Sequence, residues 1–473
     1  MKRHVAITGL GLLLFAGCAS PLRLDEATYR SRSYDTPGAA TPLPSLPEPV
    51  VDAAPMRGVS LQRARELALV RNHTVQAAAA TVASARAAIS EARAAFLPTV
   101  TGSITRTHLS KSSEVTIPGI ATFTTSPSWQ TTGAAQLAVS LFSGGRDRAA
   151  LKAARANLAT QILDERAVRQ QLLFEVTQAW YRLHESEAQV QVARDQLAAS
   201  ERQLKDAENI VAAGRATKDA ALTAKVEVLR ARQDVRVTSN AVVHARRILN
   251  MLLVRHLEAE LSLEKPPAFR AVKLDGTRLI AMGRAHNPSI LAFRSQRIAL
   301  ENQRESVHRS FVPEISGTLG ASYSNFTQAT GYSTNYSARL VAQWTPVDGG
   351  RRVGRLQQLH ADLIALRERE LQAIQELDLG IQRTLLDIGE AESAAELANQ
   401  SISASTENYR IVSEKFRNGK VTTRELLEAQ TTLSTSRFSL NQARFGHLTL
   451  LAALEAQLGI AEADWVTHVG EAK

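Results

Sequence analysis

Residues 190–214 read VQVARDQLAASERQLKDAENIVAAG. Val190, Leu197, Leu204 and Val211 recur every seven residues, and Ala193, Ser200 and Ala207 lie three further on. This is a heptad seam whose second position is filled by small residues, which lets helix backbones approach closely. The stretch sits inside a longer one: from Arg146 to Lys265 there is no proline, and Gly214 is the only glycine. A helix from Arg146 to that glycine would run roughly 100 Å at 1.5 Å per residue. Coiled coils use such lengths and globular cores rarely do. Beyond the glycine, Val228, Val235 and Val242 again repeat in sevens. The spacing predicts a long helical hairpin that reverses at Gly214, where glycine supplies the backbone freedom of a tight turn.

The same unit occurs twice. Asn72-His73-Thr74-Val75 matches Asn287-Pro288-Ser289-Ile290, and Leu97-Pro98 matches Val312-Pro313, both at an offset of 215. Ser143-Gly144-Gly145-Arg146 matches Asp348-Gly349-Gly350-Arg351, and Gly214 matches Gly419, both at 205. Four matches in register with one local change of length indicate a duplication. Ile402, Tyr409 and Phe416 stand where Leu197, Leu204 and Val211 stand in the first copy, and Leu426, Leu433 and Leu440 mark the second returning arm. Each copy is expected to open with a helix, about 60–96 and about 276–311, ended by Pro98 and Pro313, which cannot continue the hydrogen-bonded ladder.

Between those prolines and the glycine pairs the period changes to two. Val100, Gly102 and Ile104 share one face, as do Trp129, Thr131, Gly133, Ala135, Leu137, Val139 and Leu141. The second copy shows Ile315, Gly317, Leu319, Ala321 and Tyr323, then Tyr336, Ala338, Leu340, Ala342 and Trp344. Tilted strands of this length cross a bilayer; a half-buried hairpin in a soluble domain has the same alternation. Lys111 to Ser128 and Asn325 to Ser333, rich in Ser, Thr and Gly, read as loops.

The 473-residue chain is 44% hydrophobic and 22% charged with only 5% aromatics, which suits long packed helices rather than a disordered chain. Its net charge of +10 comes from basic residues interleaved with acids, so a mixed, solvated helix surface is expected rather than nucleic-acid binding. The single cysteine excludes an internal disulfide. It follows Met1-Lys2-Arg3 and an apolar stretch from Val5 to Gly17, the layout of a signal peptide. No later segment holds about 18 uninterrupted apolar residues, so a membrane span would have to be a closed β-barrel. Pro37, Pro42, Pro44, Pro47, Pro49 and Pro55 make an extended tether of the residues that follow the cysteine. No HExxH, CxxC or G-x-S-x-G occurs, the glycine pairs lack a following Gly-Lys-Ser/Thr, and His184-Glu185 reads as a surface pair, so no enzyme, metal or cofactor is expected.

Leu14-Phe15-Ala16-Gly17-Cys18 resembles a bacterial lipobox, with Phe15 in place of the usual Leu; the resemblance implies acylation of Cys18, and Ala19 implies sorting to the outer membrane. Together with the duplicated hairpins and glycine reversals, the chain resembles the TolC-like outer-membrane factor family. The clearest motif is Phe416-Arg417-Asn418-Gly419-Lys420-Val421-Thr422-Thr423-Arg424-Glu425-Leu426-Leu427-Glu428-Ala429, similar to the family's second periplasmic tip; Ala213-Gly214-Arg215-Ala216-Thr217 is similar to the first. The resemblance implies a mainly α fold with a β-barrel portion. Three chains would form a homotrimer, with a twelve-stranded barrel continuous with a periplasmic helical tunnel.

The domain reading is a signal peptide (1–17), a lipid-anchored tether (18–57), a first repeat (58–254), an equatorial linker (255–275), a second repeat (276–458) and a tail (459–473). The first repeat holds strands over about 99–142 and a helical hairpin over about 145–254. The second holds strands over about 314–346 and a hairpin over about 350–458. The implied partners are a periplasmic adaptor and an inner-membrane efflux pump, with lipid of a Gram-negative outer membrane at Cys18. Gly214, Arg215, Ala216 and Thr217, and Gly419, Lys420, Val421 and Thr422, are the implied adaptor contacts. Glu425 and Glu428 share a helix face and are the implied gate charges, with Asp219 and Arg424. Ala220 departs from the family, which often has Asp there, and Val421 stands where a basic residue can join the lock on the closed tip. A lipid-anchored structural coiled-coil protein and a duct for type I protein secretion are the alternatives.

Overall fold

The computed structural model describes residues 52–111, 113–126, 129–214, 217–326 and 332–460. The signal peptide, Cys18, the tether up to residue 51, Arg215, Ala216 and the tail from residue 461 lie outside them.

The duplication recurs helix for helix and in the long strands. In the first copy, helices α1 (Leu61–Arg71) and α2 (His73–Ala94) lead to strands β2 (Thr99–His108) and β5 (Trp129–Phe142), then to helices α3 (Arg146–Ala212) and α4 (Lys218–Leu252). In the second, α5 (Gly276–His286) and α6 (Pro288–Arg309) lead to β7 (Glu314–Phe326) and β8 (Tyr332–Gln343), then to α7 (Arg351–Arg417) and α8 (Thr423–Leu458). Both α3 and α7 have 67 residues, roughly 100 Å each. Both begin directly after a glycine pair in the left-handed region, Gly144-Gly145 and Gly349-Gly350. Two short pairings complete the chain: β3 (Ser113–Ile117) with β4 (Ala121–Ser126), and β1 (Met56–Val59) with β6 (Leu261–Leu263), the latter parallel.

Each opening helix is two helices, not one. The break falls at Asn72 and at Asn287, the equivalent residues of the two copies. Asn72 caps α2 by accepting from the Thr74 amide at 2.9 Å, and its Nδ2 donates to Leu252 O at 3.0 Å. Asn287 accepts from the Ser289 amide at 3.0 Å and donates to Gln457 O at 2.9 Å. One side chain therefore satisfies an orphan donor at one helix start and an orphan acceptor at another helix end. The result is end-to-end stacking: α2 continues the line of α4, and α6 continues that of α8. The returning helices, 35 and 36 residues long, cover only the lower half of α3 and α7; α2 and α6 cover the upper half.

Below the stacking level the helices lie in the order α4–α3–α8–α7, so α4 and α7 are the outer two. The seam is built as the heptads require: Ala193, Ser200 and Ala207 are buried, as are Val228, Leu426 and Leu433. Two larger cores sit at the stacking level and use equivalent positions. Val176, Leu183, Leu249 and Leu253 of one core correspond to Ile381, Ile388, Leu454 and Leu458 of the other. Arg65 ties the halves together: it forks Glu455 at 2.9 and 3.3 Å and donates to Thr177 Oγ1 at 2.9 Å. Burial raises the Glu455 carboxyl above its usual range, an effect that Arg65 opposes.

His184 and Glu185 are not a surface pair. Glu185 is buried, and His184 packs between Trp180 and Phe445, where burial lowers its imidazole pKa. The heptad pattern misses this because the cover comes from outside the hairpin: β1 and β6 cross at this level, and Trp180 Nε1 donates to Val59 O at 3.2 Å. The segment from Lys111 to Ser128, read as a loop, holds the β3–β4 hairpin. Its turn contains Pro118-Gly119 with Gly119 at φ 84.

The four long strands form one antiparallel sheet, β2-β5-β7-β8. Its register places Val100, Leu137, Leu319 and Ala338 in one row across the sheet, and Gly102, Ala135, Ala321 and Tyr336 in the next. The opposite face carries Thr101, Gln136, Thr318 and Ser337. On the apolar face Val100, Ile104, Tyr336 and Leu340 are 70%, 85%, 73% and 71% exposed. A half-buried soluble hairpin would cover that face. The 12 residues of β8 extend roughly 40 Å along the strand, or about 30 Å at a tilt of 40–45°, the thickness of a hydrocarbon core. Among the described residues no helix is long and apolar enough to cross a membrane.

Candidate functional site: the paired helix tips

The ends of the two hairpins farthest from the sheet lie side by side. Both reverse through a left-handed glycine, Gly214 at φ 69 and Gly419 at φ 68. In each, the glycine amide reaches back into the last helical turn, Gly214 to Val211 O at 3.0 Å and Gly419 to Phe416 O at 2.9 Å. In the second tip a Lys420 amide bond to Lys415 O at 2.9 Å completes a Schellman-type end. An apolar cluster holds the tips together: Phe416 and Leu426 from the second hairpin pack on Ala207, Ala224, Leu204 and Ile210 of the first, with Val421 against them.

The tips start their returning helices differently. Thr422 caps α8, and Glu425 closes a capping box: Glu425 N donates to Thr422 Oγ1 at 3.4 Å, and Thr422 N donates back to Glu425 Oε1 at 3.3 Å. Thr217 begins α4 without a side-chain cap, and the third helical residue there is Ala220, which has no carboxylate to bond the Thr217 amide in return. Asp219 stands in the first turn of α4, where the helix dipole favours a negative charge. Glu425 is thus engaged in the backbone turn as well as charged.

Two grooves surround these residues. A cleft of about 540 Å³ separates the tips, with Thr217, Asp219 and Ala220 on one side and Gly419, Thr422 and Arg424 on the other. A second groove of about 710 Å³ runs upward between α4 and α8 and contains Glu227, Arg230, Asp234, Arg424 and Glu428. Arg424 lines both. Of the expected gate residues, Asp219 and Arg424 both line the cleft and Glu428 lies with Arg424 in the groove. Arg417 and Asp206, 3.9 Å apart on the surface, add little.

Sequence reading overlooked the polar seam behind the grooves. Gln430 is buried and donates to Gln196 O at 3.1 Å and to Ser200 Oγ at 3.3 Å, and Gln203 Nε2 reaches Tyr409 OH at 3.5 Å. Ser434 also bonds Gln196. A glutamine beside the Leu426/Leu433 seam was the available signal. The buried Oε1 atoms of Gln203 and Gln430 have no protein partner among the described residues, so the seam is under-satisfied as well as polar.

This arrangement has close counterparts among solved structures. The CusC channel superposes with a TM-score of 0.73 at 18% identity, over 85% of this chain and 92% of that one. VceC, an outer membrane protein of Vibrio cholerae, gives 0.71 at 16%, over 84% and 96%. The open-state MtrE outer membrane channel of Neisseria gonorrhoeae gives 0.63 at 18%, over 85% and 89%. No curated protein matches the sequence. The family described as outer membrane efflux protein matches residues 64–253 and 279–460, one block for each copy of the duplicated unit. The chain belongs to the outer membrane efflux protein family, whose members are ducts and not enzymes.

Proposed function

We propose that the protein is the outer-membrane duct of a tripartite efflux system, a passive homotrimer that exports small molecules. The observation that carries this reading is the incomplete sheet. Four strands cannot close a barrel, and β2 and β8 leave two unpaired edges beside an apolar face whose large residues on β2 and β8 are exposed. Three copies joined edge to edge supply twelve strands. The helical layer supports the same assembly, since its outer helices expose apolar side chains: Leu222, Val226 and Leu229 on α4, and Leu371, Leu379 and Leu386 on α7. Apolar stripes of this kind call for neighbouring helices.

The helix tips form the periplasmic gate and the docking site for an adaptor, which connects the duct to an inner-membrane pump. Glu428 supplies the ring of gate charge, and Glu425 contributes charge while holding the second tip folded. Asp219 and Arg424 sit where hairpin-to-hairpin contacts would hold the tip closed. Gly214 to Thr217 and Gly419 to Thr422 are the adaptor contacts. Cys18 is acylated and holds the chain to the outer membrane, with the proline-rich tether between anchor and body. The six domain segments described from the sequence then serve as export signal, tether, two duct repeats, equatorial linker and tail.

Planar-bilayer recording tests the reading. The folded wild-type oligomer is expected to conduct at a low level with cation preference, and Glu428→Gln is expected to weaken that preference. A trimer that never conducts, even with both Glu425 and Glu428 replaced, would leave the structural coiled-coil reading in its place. Mass spectrometry of the mature N-terminus tests acylation, which Cys18→Ser should abolish.

A further inference from the structure

At the helix-distal end of β2 the apolar face of the sheet gives way to a basic and aromatic group. Along β2, Val100 and Ile104 are followed on the same face by Arg106 and His108, all exposed. His108 pairs across the ladder with Trp129, and the two rings stack with centroids 4.3 Å apart. The Arg106 guanidinium lies 4.8 Å from the centroid of the same indole. The opposite face at this level carries Thr105, Thr107 and Gln130. An apolar column therefore leads directly to a cation laid against an indole, with an imidazole beside it.

We infer that Arg106, Trp129 and His108 form a site for the phosphate-bearing headgroup of a lipid in the outer leaflet. The inference rests on the barrel reading above, which places this rim at the outer membrane surface. A planar guanidinium matches a phosphate through two parallel hydrogen bonds. Tryptophan prefers the boundary between hydrocarbon and headgroups. The column of Val100 and Ile104 gives acyl chains a surface continuous with the headgroup site, which a soluble anion would not use. A lipid docked here also lies against β2, an edge strand, and so beside the junction between copies.

Native mass spectrometry of the purified protein in neutral detergent tests the site, with diphosphoryl lipid A and its dephosphorylated form as probes. The wild type is expected to bind the phosphorylated probe more tightly. Arg106→Gln should lose about tenfold in affinity for it, the scale of a lost charge-assisted pair, and bind the dephosphorylated probe as the wild type does. Arg106→Lys keeps the charge without the fork and should fall between the two. Arg339→Gln, on the opposite face of the sheet, should leave both probes unaffected. Full affinity in Arg106→Gln, an equal loss in Arg339→Gln, or indifference of the wild type to the phosphates would overturn the site. Conductance in bilayers free of lipid A separates the two readings: a conducting protein without phosphate preference loses only the lipid site, and one that never conducts loses the duct.

Discussion

The first and second halves share a helical scaffold to within a residue, yet they finish their helices with different chemistry. The second half caps α8 with a complete box, Thr422 and Glu425, and ends it at Gly459, left-handed at φ 76. The first starts α4 with an unengaged Thr217 and turns after it at Val254, a β-branched residue held at φ 53. Gly459 and Val254 are equivalent positions. A left-handed valine costs about 1–2 kcal/mol, and here a buried network accompanies it: Arg255 donates to Asn250 Oδ1 at 2.9 Å, and Asn250 Nδ2 donates to Ala259 O at 2.9 Å. Asn72 and Asn287, by contrast, are the same residue making the same two bonds. The lesson is that a side chain with two simultaneous tasks has no ready substitute, while one with a single task can be replaced if its neighbours compensate.

The largest test of that lesson writes the first half into the second. A side chain at Gly459 would place its Cβ 2.5 Å from His286 O and 2.8 Å from Asn287 Cα. Gly459→Val should therefore cost about 3 kcal/mol or more, combining the left-handed penalty with overpacking. Amide exchange in the last turn of α8 would report it, and an unchanged exchange rate would mean the halves are more alike than their backbones suggest. Next comes Asn287→Asp, which keeps the cap acceptor but loses the donor to Gln457 O. A loss of about 2 kcal/mol is expected, with Asn72→Asp giving a similar value in the first half. Thr422→Ala should cost about 1 kcal/mol at the start of α8, whereas Thr217→Ala should be nearly silent. Val254→Gly is expected to gain up to about 1 kcal/mol, the released strain being offset in part by the entropy of a new glycine. The smallest effect is Ala220→Glu, which should supply the carboxylate of a capping box with Thr217 and slow exchange in the first turn of α4 by a few tenths of a kcal/mol to about 1 kcal/mol.

What was legible in the sequence is what repeats. Heptads, glycine reversals and the two offsets gave the long hairpins their bounds, because each signal recurs many times along one helix or once in each copy. The period-two segments gave the sheet, and its register then separated an apolar face from a Ser/Thr face. Features that depend on one side chain reaching far along the chain were not legible. The breaks at Asn72 and Asn287 hide inside helical periodicity, since α2 resumes at once after the cap. The β3–β4 hairpin hid in a Ser/Thr-rich segment despite its Pro118-Gly119 turn. At the tips, reading Glu425 for its charge alone overlooks that Thr422-x-x-Glu425 is itself a capping-box spacing. Gln430 escaped notice because heptads announce only the apolar members of a seam.

The stacked helices also set a timetable for assembly. Asn72 reaches its acceptor 180 residues later in the chain, Asn287 waits 170 residues for its own, and Arg65 meets Glu455 across 390. Each helical hairpin can zip locally and early, while contacts of such separation carry a loop-closure penalty before they return any energy. A chain that enters its compartment N-terminus first must therefore hold α1 and α2 unsatisfied until α4 has arrived. The final closure of Arg65 on Glu455 waits for almost the last turn of α8. Loss of a few C-terminal turns would then strand the first helices delivered, at the opposite end of the sequence.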